Sequence, residues 1–223
     1  MDKERHVMIA FPHPDDEAFS CSGTISMYAE MGVPVTYVCG TLGEMGRNMG
    51  NPPFATRETL RDIRKKELME AVKVVGIDDL RMLGYRDKTM EFEDLDEIAD
   101  KISEVIDEVK PSLILTFYPG YSVHPDHDTM GAAVIRAAER IPEAERPQVD
   151  CVAFSKNTLE DLGEPDIVRD VTAAADKKIA AIQAHRSQAE GFRNAIGERL
   201  KAQEPEAMEW IGTERFWHYK WND

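Results

Sequence analysis

The sequence predicts an α/β fold: a single-domain, Rossmann-like, doubly wound and mostly parallel sheet flanked by helices. Three observations predict it. Short apolar runs alternate with longer helical patterns along the chain, the signature of strands joined by helical crossovers. The first and fourth of these runs are each followed by a His-Pro-Asp cluster, and ligands of such sheets bind beyond the carboxyl ends of strands. With 223 residues, 42% of them hydrophobic, the chain is long enough for one sizeable core.

The elements follow in order. Residues 6–11 (HVMIAF) form an apolar run that reads as a buried strand. Residues 17–31 read as a helix stopped by Gly32. Val and Thr dominate 33–41, a second strand. The stretch 42–55 is loop, because Gly43, Gly46, Gly50, Pro52 and Pro53 break any regular period. A charged amphipathic helix spans 57–75 and ends at Gly76, and 80–85 is a short third strand. Between 94 and 109, Leu95, Ile98, Ile102, Val105, Ile106 and Val109 recur at helical spacing until Pro111 breaks the pattern. Residues 112–119 are a fourth strand, 126–141 a helix with an acidic, His-containing first turn, and 148–155 a fifth strand. A long helix is predicted from about 172 to 200, and the aromatic tail 207–221 returns as a strand or hairpin. No repeat, low-complexity tract or long linker divides the chain, so one domain is expected.

Composition excludes several functions. A net charge of −15 argues against nucleic acid, whose phosphates demand basic patches, and against anionic membranes. No apolar run approaches the ~20 residues of a membrane-spanning helix. The first residues carry charges and neither a long apolar stretch nor a small-residue cleavage site, so no signal peptide is read. Cys21, Cys39 and Cys151 are scattered, none in a Cys-x-x-Cys spacing, and fit reduced, buried thiols in a cytoplasmic protein. The first strand–helix turn lacks Gly-x-Gly-x-x-Gly, so the fold need not hold a dinucleotide.

The chemistry gathers in two segments. "HPDDE" (13–17) crowds carboxylates behind a buried strand, where mutual repulsion is costly. "HPDH" (124–127) repeats that chemistry after another strand. His13 and Asp16 are three apart, as are His124 and His127, and residues so spaced can converge on one side of a tight turn. Two imidazoles and one carboxylate make a common catalytic zinc set with positions left open. They also disfavour hard Mg²⁺, and with it a magnesium phosphatase. Either motif alone would read as a solvated turn or helix cap. Two of them, at the ends of two parallel strands, outweigh that reading and point to a metal site.

"FPHPDDE" and "HPDH", with "TLGEMG", "IRKKELMEAVKVVGI", "GYRD" and "AHRSQ", resemble the LmbE-like (PIG-L) family of zinc-dependent N-acetylglucosaminyl deacetylases. The likeness extends over nearly the whole chain. It implies zinc ligands His13, Asp16 and His127, with Asp15 as general base. It implies that His124 stabilises the oxyanion or protonates the leaving amine, as a cation; the alternative for His124 is a place among the zinc ligands or directly behind them. Asp126, two residues on, is read as holding its ring and raising its pKa. Glu44, Arg64 and Asp87 resemble positions near the sugar, and Arg47 would meet an acidic aglycone such as malate. His185, in a helical pattern, reads as structural. The implied substrate is a small N-acetylated sugar conjugate, foremost the N-acetylglucosaminyl-malate intermediate of bacillithiol synthesis. Another N-acetylated sugar or thiol conjugate is the alternative, and a non-catalytic zinc module a further one. Relatives commonly form trimers or hexamers, which implies a homo-oligomer.

Overall fold

The computed structural model describes residues 3–221. Seven strands form one sheet in the order β3-β2-β1-β4-β5-β7-β6. They are β1 (Val7–Phe11), β2 (Val35–Thr41), β3 (Asp79–Tyr85), β4 (Leu113–Phe117), β5 (Gln148–Val152), β6 (Ile167–Asp170) and β7 (Thr213–His218). The first five run parallel, while β7 pairs antiparallel with both β5 and β6. The mostly parallel α/β fold is therefore as predicted, and its antiparallel margin is an addition.

Every residue of β1, β2 and β4 is buried, as expected of parallel strands covered on both faces. Along β1 the side chains alternate. Val7, Ile9 and Phe11 join one core with Tyr37, Leu68, Val72 and Leu115. Met8 and Ala10 join the other with Ile98, Ile102, Ile114 and Met130. Helices α1 (Asp16–Ser20), α2 (Ser22–Glu30), α3 (Leu60–Val75), α4 (Leu95–Val109) and α5 (Pro125–Glu139) supply most of the flanking layers. The Asp94 carboxylate caps α4 by accepting from the Asp96 and Glu97 amides. The predicted helix 17–31 is two helices, broken at Cys21.

The predicted long helix 172–200 is not continuous. A 3₁₀ turn at Thr172–Ala174 leads into a helix at Ala175–Ala184, and 185–189 leave the helix. Short helical turns follow from Glu190 to Lys201. The tail folds as a helix, Pro205–Gly212, and then β7, where only a strand or hairpin was expected. No helix among the described residues is long and apolar enough to cross a membrane.

Chain order departs from spatial order between β1 and β4, so this pair is the switch point of the sheet. Val7 pairs with Leu113 and Ile9 with Leu115, which brings the two carboxyl ends side by side. Helix α5 presses against β4 at Gly131, where a Cβ would run into the carbonyl oxygen of Phe117. Gly131→Ala should therefore cost about 1–3 kcal/mol, the usual range for overpacking. A urea midpoint checks this; no change would mean that α5 can retreat from the sheet freely.

Candidate metal centre

A cavity of about 300 Å³ opens over the carboxyl ends of β1 to β4. Its lining includes His13, Asp15, Asp16, Arg47, Asp87, Lys88, His124, His127 and Gln188. A larger recess of about 750 Å³ lies at the opposite end of the sheet, around Arg5, Lys110 and Arg146. Size does not choose between them. Among the described residues, only the smaller cavity brings together groups that could hold a metal: His13 with His124 and His127, and His13 with Asp87 and Asp126.

The turn after β1 is built to present its side chains. Asp15 has φ 106° and ψ −26°, a left-handed conformation that costs a non-glycine residue about 1–3 kcal/mol. Several contacts hold it there. The Asp15 carbonyl accepts the amides of Ala18 (2.9 Å) and Phe19 (3.1 Å), starting α1. Its own amide donates to Glu17 Oε2 at 3.1 Å. Arg64 Nη2 donates to the Asp15 carboxylate at 2.9 Å and to the Pro14 carbonyl. The second turn is an N-cap: Pro125 opens α5, and His124 Nδ1 accepts the Asp126 amide at 3.1 Å.

Two ring nitrogens and the two oxygens of one carboxylate meet between the turns. His13 Nδ1 lies 3.1 Å from His127 Nε2 and 3.4 Å from Asp16 Oδ2, and His127 Nε2 lies 3.4 Å from Asp16 Oδ1. The far side of each ring fixes its tautomer. His127 Nδ1 faces the Ser122 carbonyl at 3.0 Å. His13 Nε2 faces Asp126 Oδ2 at 3.1 Å and Asp87 Oδ1 at 3.2 Å. Both outer nitrogens therefore carry hydrogen, and both inner nitrogens turn lone pairs toward the Asp16 carboxylate. Only a proton or a cation between them relieves that contact. The spacing matches the edge of a tetrahedron whose ligands lie ~2.0–2.1 Å from a metal, about 3.3 Å. The residues present thus fit a metal.

The electrostatics agree. Burial alone would raise the Asp16 carboxyl, but His127 and His13 hold it far below the usual carboxylate range. Burial alone would lower the His13 imidazole, yet Asp126, Asp16 and Asp87 carry it well above its ordinary value. At Asp15 burial raises the carboxyl, and Arg64 offsets only part of the rise.

Several expected partners differ. Asp126 holds the His124 ring through its backbone amide and not through its carboxylate, which is fully buried and takes His13 Nε2 and the amides of Lys88 (2.7 Å) and Met90 (3.2 Å). His124 is not raised toward a cation, because burial and then His13 and His127 lower its pKa. Arg64 is 4% exposed and directs its Nη groups to Gly43, Pro14 and Asp15. It clamps the turn more than it offers itself to a ligand. Glu44 Oε1 accepts the Asp87 amide, and its side chain borders a separate recess with Arg57 and Arg61. Asp87, bound to His13 and to the Met45 amide, and the exposed Arg47 do line the cavity. Lys88 and Gln188 line it as well and were not singled out, although Lys88 follows the segment GYRD and Gln188 closes AHRSQ, both of which resemble the family.

The family model described as GlcNAc-PI de-N-acetylase (PIG-L) matches residues 8–138, which include both turns. The chain belongs to this family. It is an enzyme of the N-deacetylase class. A Bacillus cereus protein named a probable N-acetyl-alpha-D-glucosaminyl L-malate deacetylase 2 is 53% identical over 218 residues, covering 98% of this chain and 99% of its own. Among solved structures, the N,N'-diacetylchitobiose deacetylase of Pyrococcus horikoshii matches with TM-score 0.75 at 23% identity, over 97% of this chain and 84% of that one. GalB, the 4-carboxy-2-hydroxymuconate hydratase of Pseudomonas putida, matches with TM-score 0.74 at 21% identity, over 98% of both chains. These two likenesses are of fold, and a hydratase among them shows that the fold alone does not fix the reaction.

Metal binding to this deacetylase should weaken as pH falls. Below its raised pKa the His13 ring keeps a proton that a metal must displace, so affinity rises with pH until that proton is gone. Titration calorimetry in buffers of different ionisation heat should detect the released proton. Asp126→Asn should lower metal affinity about 10–100-fold by loosening His13; full affinity would remove Asp126 from this role.

Proposed function

We infer that the chain is a zinc-dependent hydrolase that removes the acetyl group from N-acetylglucosaminyl-malate in bacillithiol biosynthesis. The convergence of His13 Nδ1, Asp16 and His127 Nε2 beside Asp15 carries the mechanistic part of this reading. The substrate rests on the relatives' name and on the exposed Arg47 at the cavity, a partner for a carboxylate-bearing aglycone. Three buried thiols, all free, fit a reducing compartment, the cytoplasm.

His13, Asp16 and His127 would hold zinc, which supplies Lewis acidity toward the amide carbonyl and the attacking water. The remaining work falls to the chain. Asp15 receives the water proton. Its carboxyl is raised by burial, which makes it a better base, and Arg64 keeps it aimed. His124 works as a neutral donor: with Nδ1 occupied by the Asp126 amide, its hydrogen sits on Nε2. It can then stabilise negative charge on the carbonyl oxygen without becoming a cation. Asp87, Lys88 and Gln188 offer hydrogen bonds to the hydroxyl groups of a sugar.

Two measurements test this. An amine-release assay over a panel of N-acetylglucosamine conjugates should give the malate conjugate the highest kcat/KM. Arg47→Ala should reduce that value more than the value for free N-acetylglucosamine; equal losses would take Arg47 out of the aglycone site. Asp15→Asn should keep its zinc and lose roughly 10²–10⁴ in turnover, whereas Asp16→Ala should lose zinc. If Asp15→Asn loses zinc while Asp16→Asn keeps both zinc and activity, the two assignments are reversed.

A further inference from the structure

The segment AHRSQ (184–188) sits just where the predicted long helix breaks. It reaches three separate parts of the chain: the turn after β1, helix α3 and the loop that carries Arg47. His185 is completely buried, and its Nε2 lies 2.7 Å from Glu17 Oε1. The Ser187 amide and hydroxyl both donate to Glu67 on α3, at 2.9 and 2.7 Å. Gln188 Nε2 donates to the Asn48 carbonyl at 3.0 Å, in the loop that carries Arg47.

Glu17 is the junction of interest. It too is completely buried, immediately after the two aspartates. Its Oε2 accepts the Asp15 amide at 3.1 Å and lies 3.1 Å from the Tyr37 hydroxyl. That hydroxyl is also 3.2 Å from the His13 carbonyl. The carboxylate therefore ties His185, Tyr37 and the backbone of Asp15 into one buried unit. Packing alone does not call for such a unit, since a well-packed apolar pair is often as stable as a buried charged pair, or more so. What an apolar pair cannot do is accept the Asp15 amide and hold that residue at φ 106°.

We propose that Glu17 and His185 are positioning residues for Asp15. They hold its backbone in the left-handed conformation that sends the Asp15 carboxylate to the Arg64 side of the cavity, while Asp16 turns to His13 and His127. His185 orients the Glu17 carboxylate from one side, and Tyr37 does so from the other. The proposal rests on the reading of Asp15 as the base.

The test is the double variant Glu17→Leu/His185→Leu, which removes both polar groups together and leaves no unpaired charge. With thermal midpoint and metal content near those of the wild type, kcat on an N-acetylglucosamine conjugate should fall by about 30-fold or more at unchanged KM, the scale expected when a reacting group is slightly misplaced. Glu17→Gln, which keeps an acceptor for the Asp15 amide, should recover most of the loss. A pair that only packs would leave kcat within about threefold in the double variant, and that result would overturn the proposal. If the double variant does not fold, His185→Asn replaces it, whose shorter amide falls short of the Glu17 carboxylate, with the same direction of change in kcat at constant KM. A crystal structure gives a readout independent of turnover: Asp15 should leave positive φ in the variant lacking the pair, and an unmoved Asp15 would also overturn the proposal. If the wild-type enzyme hydrolyses none of the conjugates, the deacetylase reading fails, and the crystal structure alone decides this inference.

Discussion

Two ring nitrogens 3.1 Å apart, each held 3.4 Å from a different oxygen of one carboxylate, are the constraint on which this structure turns. Electron-rich groups so close repel unless a positive charge sits among them. The surroundings oblige them to stay. Carboxylates and a carbonyl fix the outer nitrogen of each ring, two prolines and a left-handed residue fix the first turn, and a helix N-cap fixes the second. An arrangement of this kind suits a cation.

Around this point the chain arranges an unusual amount of buried charge for so acidic a protein. Asp16, Glu17, Asp87 and Asp126 are all buried within or next to the site. Few cations are available there, and Arg64 is the principal one. Backbone amides do the remaining neutralising: Lys88 and Met90 donate to Asp126, Met45 to Asp87, and Asp15 to Glu17. Loops rather than helices or strands supply most of these amides, because loop backbone has donors not already committed to a ladder.

The departures from the sequence reading share one cause. An Ala-rich stretch such as 172–200 favours helix at each position by only tenths of a kcal/mol. Against that stand hydrogen bonds to groups more than a hundred residues away, buried ones from His185 and Ser187 and an exposed one from Gln188, each worth about 1 kcal/mol net. Together they outweigh local preference, and the helix breaks. Asp126 follows the same logic. Its neighbour in sequence is His124, and a local reading pairs them. In space the His13 ring and two loop amides offer more, and the carboxylate turns to them.

Legible in the sequence alone were the parallel α/β core, the two His-Pro-Asp turns at the ends of β1 and β4, and the chemistry of a metal site. Each depends on patterns within a few residues: apolar periodicity, prolines and closely spaced ligands. The antiparallel β6–β7 margin, the tasks of Asp126 and Arg64, and the link from His185 to Glu17 were decided only by the tertiary structure. Those features depend on which distant group completes a buried donor or acceptor. No local pattern records that choice, because it is settled by the free energy of satisfying buried polar groups once the chain has closed on itself.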